Sequence, residues 1–257
     1  MNANRIAGSI SLGVAALTVL ALAPSAQANL VQNGSFEQTT TGSGGAGEFN
    51  NLTYTTVLDW SSSGYNFLFA PGTADTTGGN GTLGTVMLWG PGDGSANGLP
   101  ATSPDGGNFV AADGDPTYAS PISQTINGLT VGDAYAVTFY WAGAQQGGST
   151  GSQFTAPTTE QFNVSLGSQT QSTAVVNNVG EGFTGWMQQT FYYTATNTSM
   201  VLSFLAAGTP TGEPPFVLLD GVSMDEVVPE PRTFALMAAG LLALVVLARR
   251  QRLKKRS

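Results

Sequence analysis

The sequence predicts an all-β sandwich over residues 29–226. No stretch in this window shows a sustained 3.6-residue hydrophobic period, so no helix is expected there. Short apolar or alternating runs recur between clusters of Gly, Asn, Asp, Ser and Thr, and 31 of the 34 glycines lie in this window. About a dozen short strands separated by turn residues are typical of a sandwich. No linker divides the window, so one domain is expected.

The expected strands follow one another along the chain. Residues 161–166 alternate between apolar and polar side chains, which is the pattern of a strand with one solvated face, and residues 134–142 carry a similar aromatic face. The predicted strands are Leu30–Phe36, Thr55–Trp60, Tyr65–Ala70, Thr85–Trp89, Asn108–Ala112, Ile122–Ile126, Ala134–Ala142, Gln161–Leu166, Ala174–Asn177, Met187–Thr194, Met200–Ala206 and Phe216–Met224.

Charge is distributed unevenly along the chain. None of the eight Lys and Arg residues lies between residues 29 and 228, whereas fifteen of the sixteen acidic residues do. A window with a formal charge of −15 does not attract phosphates, which excludes nucleic acid as an ordinary partner. The chain has no Cys and no His. Disulfides, thiolate metal sites, serine triads and His general bases are therefore excluded, and the window also lacks the Lys that a Schiff base needs.

Residues 1–28 are typical of a cleavable secretory signal peptide. One Arg precedes the apolar run 10–23, and Ala26-Gln27-Ala28 fits an A-x-A cleavage site. Cleavage between Ala28 and Asn29 would start the mature chain at Asn29. An N-terminal membrane anchor is the alternative interpretation.

Residues 227–257 have three parts, namely Pro-Glu-Pro, an uncharged apolar segment over 233–248, and a basic tail over 249–257. Sixteen helical residues reach ~24 Å, a little less than the ~30 Å hydrocarbon core, and flanking Arg side chains can reach the headgroups. The pattern predicts one C-terminal transmembrane helix over 233–248. Its basic end would be cytoplasmic and the acidic domain would lie outside.

The order of these three parts resembles the PEP-CTERM sorting signal of Gram-negative bacteria. The resemblance implies that Pro229, Glu230 and Pro231 are recognised by an integral-membrane exosortase, which processes the tail during export in species that make exopolysaccharide. It also implies an inner-membrane intermediate and a final location at the cell surface or in the extracellular matrix. An ordinary single-span anchor is the alternative that the physical pattern leaves open.

Five short segments resemble, in order, parts of the galactose-binding-like jelly rolls, a fold of many carbohydrate-binding modules. These segments are 29–37, 60–62, 122–126, 128–132 and 216–223. The resemblance implies a jelly-roll β-sandwich that binds carbohydrate, here the organism's own exopolysaccharide. In such modules a structural Ca²⁺ often joins a Glu of the first strand to an Asp of the last, which correspond here to Glu37 and Asp220. The alternative is that both are surface carboxylates that accept backbone N–H groups.

Three tryptophans are candidates for stacking on a sugar ring. Trp60 and Trp186 stand beside Ser and Gly, and Trp89 lies where a predicted strand meets a loop. Trp89 is therefore the best candidate for a surface aromatic. The alternative for each of them is a place in the core, because Trp is highly buried on average.

Asp113 and Asp115 lie close together in the sequence and could act as a catalytic pair. A glycosidase needs two carboxyl groups ~5–9 Å apart, but Asp and Gly are also routine turn formers, and Pro116 follows. The sequence therefore predicts no catalytic residues and no enzyme. The prediction is an exported carbohydrate-binding protein, with two alternatives: a structural or adhesive matrix protein, and a glycan-cleaving enzyme that uses carboxylates alone.

Overall fold

The computed structural model describes residues 29–41, 55–76, 86–147, 154–227 and 233–254. The predicted signal peptide, with Ala28, and the Pro229-Glu230-Pro231 motif lie outside these residues. The strands are β1 (Thr39–Thr41), β2 (Thr55–Val57), β3 (Ser61–Ser62), β4 (Asn66–Phe69), β5 (Phe109–Asp113), β6 (Ile122–Asn127), β7 (Ala134–Gln145), β8 (Thr158–Leu166), β9 (Gln169–Ser172), β10 (Val176–Asn178), β11 (Met187–Thr194), β12 (Ser199–Thr209) and β13 (Pro215–Glu226).

Two antiparallel sheets form the sandwich. Sheet I has the order β10-β8-β12-β6-β3, with β9 also paired to β8, and sheet II has the order β11-β7-β13-β5-β4. Strands β5 to β8 alternate between the two sheets, and so do β11 to β13, as in a jelly roll. Strands β1 and β2 form a separate ribbon. The predicted all-β sandwich is confirmed.

The main core lies between the two sheets. Strand β8 buries every second side chain, as its sequence pattern predicts, because alternate residues of a strand point to opposite faces. Phe204 of β12 contacts Phe139 of sheet II edge-on with ring centroids 5.1 Å apart, and it contacts Phe162 at 5.9 Å. The contact with Phe139 joins the inner faces of the two sheets, and the contact with Phe162 lies within sheet I.

A second apolar layer covers the outer face of sheet II. Phe109, Ala111, Phe216 and Leu218 on this face are fully buried under loop residues such as Leu88. Strand β13 is consequently buried on both faces from Pro215 to Asp220, which explains its uninterrupted apolar sequence. The outer face of sheet I has no comparable cover among the described residues.

The predicted first strand over 30–36 is wrong, because this segment consists of bends and turns. It lies beside β13 beyond the end of β5, where Leu30 N donates to Met224 O (2.9 Å) and Val222 N donates to Gly34 O (3.0 Å). A side chain on Gly34 would lie 1.9 Å from the Val222 carbonyl oxygen. The segment therefore completes the side of β13 without regular strand pairing.

A helix, α1, extends from Thr233 to Lys254 and includes the predicted helical segment 233–248. Across the part of the chain that the structure describes, none of the helices has both the length and the apolar character needed to cross a membrane. The predicted transmembrane assignment is not supported by this result.

Candidate functional site: the open face of sheet I

Hydroxyl side chains form a row across five neighbouring strands on the outer face of sheet I. Pairing in register aligns Ser61, Ser123, Ser203, Ser165 and Thr170. All five are partly or fully exposed. Since neighbouring strands are ~4.8 Å apart, the row extends over about 19 Å. The outward positions of β6, β8 and β12 carry no charged residue.

A groove of about 410 Å³ lies at the end of this row, beside β3 and β6. Side-chain hydroxyls and amides make up most of its lining, and Asp59 is its one charged residue. Its lining residues are Gln32, Asp59, Ser61, Ser123, Gln124, Thr125, Asn127 and Val201.

Hydrogen bonds between two chain segments build the groove wall. Gln124 Nε2 donates to Gln32 O and Gln124 Oε1 accepts from Gln32 N, both at 2.8 Å. This reciprocal pair holds the N-terminal segment against β6. Asn127 Oδ1 accepts from Ser199 Oγ at 2.8 Å, which orients the Asn127 amide at the rim. These bonds occupy the Gln124 amide and leave the Nδ2 group of the oriented Asn127 amide to donate to a ligand, and hydroxyl and amide groups of this kind pair with sugar hydroxyls.

Trp60 lies in the core between the sheets. It is 4% exposed, its ring lies 5.1 Å from that of Phe36 and 6.2 Å from that of Phe204, and its Nε1 donates to Asn33 O (2.9 Å). Trp60 therefore lies in the core, which was the alternative expectation for this residue. Trp60 reaches no surface where a sugar could stack.

Trp89 is also buried, so the prediction that it is a surface aromatic is wrong. Only 7% of it is exposed, and its Nε1 donates to Phe154 O at 2.7 Å. Trp186 is half-buried and packs edge-on against Phe109, with ring centroids 5.6 Å apart. Trp89 was expected to be exposed because it lies where a predicted strand meets a loop. The loop that contains it folds over sheet II and buries it.

Glu37 and Asp220 lie within electrostatic range of each other. Asp220 is fully buried just before a β-bulge in β13, at the edge of the covered face of sheet II, where the Ser103 hydroxyl donates to it. Glu37 Oε1 accepts from Asn108 N at 2.5 Å. Asp105, which sequence reasoning missed, lies nearby and accepts from Ser35 Oγ. The region therefore combines carboxylates and hydroxyl oxygens from three separate segments.

Burial raises the pKa of Asp220 to about 8. Hydrogen bonds from Ser103 and the Gly221 N–H oppose this rise, and the negative charges of Asp105 and Glu37 add to it. Asp220 Oδ1 is buried and has no hydrogen-bond partner within the described part of the chain. Across the described ranges, no three His, Cys, Asp or Glu side chains are grouped as a metal site. A cation held by Glu37 and Asp220 would therefore need neutral oxygen ligands as well, which suits Ca²⁺.

Asp113 and Asp115 are buried at the end of β5. Asp115 accepts from Thr117 N (2.8 Å) and Gly212 N (2.7 Å), so backbone groups engage both of its oxygens. Burial opposes its ionisation, but these hydrogen bonds outweigh burial and lower the pKa of Asp115. Burial raises the pKa of Asp113 to about 7, with the Asp115 N–H opposing the rise and the Asp115 charge adding to it. Asp113 and Asp115 are thus arranged as in the Asp/Gly turn that the sequence offered as the alternative to a catalytic pair.

Glu160 is a buried carboxyl group that sequence reasoning missed. It is fully buried on the inner face of β8, where Oε1 accepts from the Thr158 hydroxyl and Oε2 has no hydrogen-bond partner among the residues that the structure describes. Burial raises its pKa to about 7, against hydrogen bonds from Thr158 and Asn178. A side chain on Gly143 would lie 2.7 Å from Glu160 Oε2, so glycine leaves the space that this carboxyl occupies. The alternating pattern of β8 places Glu160 among the inward-facing residues, and this pattern could have identified it as buried.

The comparisons with known proteins give one family match. A family model described as "Protein of unknown function (DUF642)" matches residues 96–223. The matched span extends from the loop before β5 into the last strand. No curated protein matches the chain.

Several solved structures are similar to the chain at low identity. The TmCBM61 structure in complex with β-1,4-galactotriose is 15% identical, covers 78% of this chain and 99% of its own, and has a TM-score of 0.41. The CBM22-1 xylan-binding domain of Paenibacillus barcinonensis Xyn10C is 16% identical, with coverage of 81% and 100% and a TM-score of 0.36. The K2 adhesin domain of Lys-gingipain is 13% identical, with coverage of 80% and 99% and a TM-score of 0.35. The fold and site of this chain rest on its own strand pairing and contacts.

Proposed function

We propose that the protein binds carbohydrate, without catalysis, on the open face of sheet I. The observation that carries this proposal is the groove of hydroxyl and amide side chains that continues into the hydroxyl row of β6, β12, β8 and β9. These groups pair with the hydroxyls of an extended glycan and lack the charges that would bind phosphate or nucleic acid. The organism's own exopolysaccharide is the proposed natural ligand.

The test is binding of the full chain to the extracellular polysaccharide of the organism that makes it, followed by calorimetry. We expect saturable binding that the double substitution Ser123→Ala and Asn127→Ala weakens at least fivefold, because each lost hydrogen bond contributes about 1 kcal/mol. The matched control is Gln188→Ala, an exposed amide on the edge strand of sheet II. Equal weakening by the control, or no binding by a folded chain, would favour a structural or adhesive matrix protein.

Release of reducing ends from the same polysaccharide is the outcome that would favour a glycan-cleaving enzyme. Asp113→Asn would abolish that release if the Asp113–Asp115 pair performed the reaction. We expect no release, because backbone N–H groups occupy both oxygens of Asp115. A catalytic carboxylate has to reach its substrate.

We also propose that Ca²⁺ binds between Glu37 and Asp220 and stabilises the fold. The support is the buried Asp220 Oδ1, which has no hydrogen-bond partner among the described residues, together with the neutral oxygen that the Ser103 hydroxyl adds. Bound Ca²⁺ would neutralise carboxylates that no Lys or Arg of the window can pair with. Calorimetry with Ca²⁺ should show one site that Asp220→Asn removes and Asp225→Asn keeps. Equal Ca²⁺ binding by Asp220→Asn would contradict this assignment.

Export is the third part of the proposal. The chain would enter the secretory pathway through residues 1–28, and an exosortase would recognise Pro229, Glu230 and Pro231, giving a cell-surface or matrix protein after an inner-membrane intermediate. The support is the order of the sequence features at both ends. Mass spectrometry of the exported protein should show a chain that begins at Asn29 and lacks Arg249–Ser257. Recovery of an intact C-terminus from a strain with an active exosortase would contradict the sorting proposal.

A further inference from the structure

Asp59 occupies an unusual backbone position in the groove of sheet I. It is the third residue of a turn that Trp60 N closes on Val57 O (3.2 Å), and its φ is 70°. Positive φ at this turn position favours Gly or Asn, so an Asp here stores more strain than a Gly would. Its side chain is exposed and makes no hydrogen bond or ion pair with residues in the described ranges. None of the described residues therefore competes with a ligand for this carboxylate.

Among the described residues that line the groove, none carries a positive charge that could pair with Asp59. The seven other lining residues are uncharged, and no Lys, Arg or His occurs anywhere between residues 29 and 228. The field of the whole domain is negative as well, since this window carries fifteen acidic residues. Anionic glycans are repelled from such a groove, whereas a cationic group on a glycan is attracted to it.

We propose that the groove selects glycans that carry free amino groups, and that the Asp59 carboxylate is the specificity-determining residue that pairs with the sugar ammonium. This inference rests on the proposed carbohydrate binding and names its ligand class: polymers of amino sugars without their N-acetyl groups. An ammonium has three N–H donors and no acceptor, which matches one carboxylate surrounded by hydroxyl and amide oxygens. An N-acetylated sugar has lost that charge and cannot form the ion pair.

The experiment compares three hexamers of the same β-1,4 linkage: glucosamine, N-acetylglucosamine and glucose. Calorimetry on the full chain at fixed Ca²⁺ and low salt should show tightest binding to the glucosamine hexamer. Asp59→Asn keeps the turn, because Asn tolerates positive φ, and should weaken binding of that hexamer about three- to fivefold, the usual effect of one partly exposed ion pair. It should leave the other two hexamers unchanged. The matched control is Asp225→Asn, which removes the same charge from sheet II.

Three outcomes separate the two proposals. Binding of the glucosamine hexamer that weakens with Asp59→Asn and with added salt, but not with Asp225→Asn, supports the amino-sugar groove. Equal affinity for all three hexamers, or equal losses in both variants, overturns this inference and leaves carbohydrate binding standing. Absence of binding to every hexamer overturns this inference too, and the failure extends to the proposed function only if the organism's own polysaccharide also fails to bind.

Discussion

The two outer faces of the sandwich differ, although both belong to antiparallel sheets of alternating residues. The outer face of sheet II is covered by loops, and Phe109, Phe216 and Leu218 are fully buried there. Among the described residues the outer face of sheet I is open, and its central strands place mostly Ser, Thr, Asn and Gln outward, with Val201 and Leu205 between them. One face therefore contributes to stability as a second core, whereas the other is available for a ligand.

This difference corresponds to two strand patterns. Strand β13 is apolar on consecutive residues over Phe216–Leu219 because both of its faces are buried. Strands β8 and β12 bury alternate residues, because only one of their faces is packed. Consecutive apolar residues thus indicate a covered face, and strict alternation indicates an open one.

Truncation on the covered face should have the largest effect. Phe216 is fully buried, and its ring lies 5.7 Å from that of Phe67. Phe216→Ala should lower the free energy of unfolding by about 3–5 kcal/mol, because it leaves a cavity. Leu205→Ala on the open face is the control and should cost less than about 1 kcal/mol. Urea denaturation measures both, and equal losses would show that the two faces do not differ in this way.

The buried carboxyl group at the edge of the covered face should make stability depend on pH. Asp220 has an ordinary pKa of 3.8 that the fold raises to about 8, so the folded chain binds this proton more tightly than the unfolded chain. Without Ca²⁺, the free energy of unfolding should therefore fall as pH rises from about 4 to 8. Asp220 accounts for about 3 kcal/mol of this fall between pH 5 and 8. Thermal denaturation should show that Asp220→Asn reduces this dependence.

Added Ca²⁺ at pH 8 should raise the melting temperature of the unmodified chain and not that of Asp220→Asn. The control is Asp59→Asn, which changes an exposed carboxylate of the open face, and its melting temperature should rise with Ca²⁺ as that of the unmodified chain does. If Asp59→Asn and Asp220→Asn behaved alike, the contrast between the two carboxylates would be wrong.

Glu160 extends the comparison to the layer between the sheets. The fold raises its pKa from 4.5 to about 7, so its contribution to stability is also lost as pH rises through this range. The effect of Glu160→Gln on the free energy of unfolding, relative to the unmodified chain, should be more favourable at pH 8 than at pH 5 by about 2 kcal/mol. Urea denaturation at the two pH values measures this difference. A variant that lost stability equally at both pH values would indicate that the shape of the site matters and its charge does not.

The smallest expected effect belongs to a single amide on the open face. Asn127→Ala should weaken glycan binding about fivefold, since one hydrogen bond contributes about 1 kcal/mol, and should leave the melting temperature unchanged. Parallel calorimetry and thermal denaturation measure the two quantities. A large loss of stability would mean that the Asn127–Ser199 hydrogen bond holds the sheet together.

The sequence by itself determined the sandwich and much of its strand content. Alternation over 161–166 and the apolar run over 216–219 depend on local spacing, and local spacing sets which face each side chain takes. The absence of Lys, Arg and His from the window is also a property of composition, and it restricts the chemistry of any site there. These features can be predicted without knowing which strands become neighbours.

Only the tertiary structure decided where the functional side chains meet. The loop over sheet II buries Trp89, which its sequence neighbours predicted to be exposed. The groove joins Gln32, Asp59 and Asn127 from distant parts of the chain, and no local pattern links them. The physical reason is that strand order and loop packing come from long-range contacts, whose partners are far apart in sequence. Alternation gave the open face its polar side chains, and the fold brought them together around one groove.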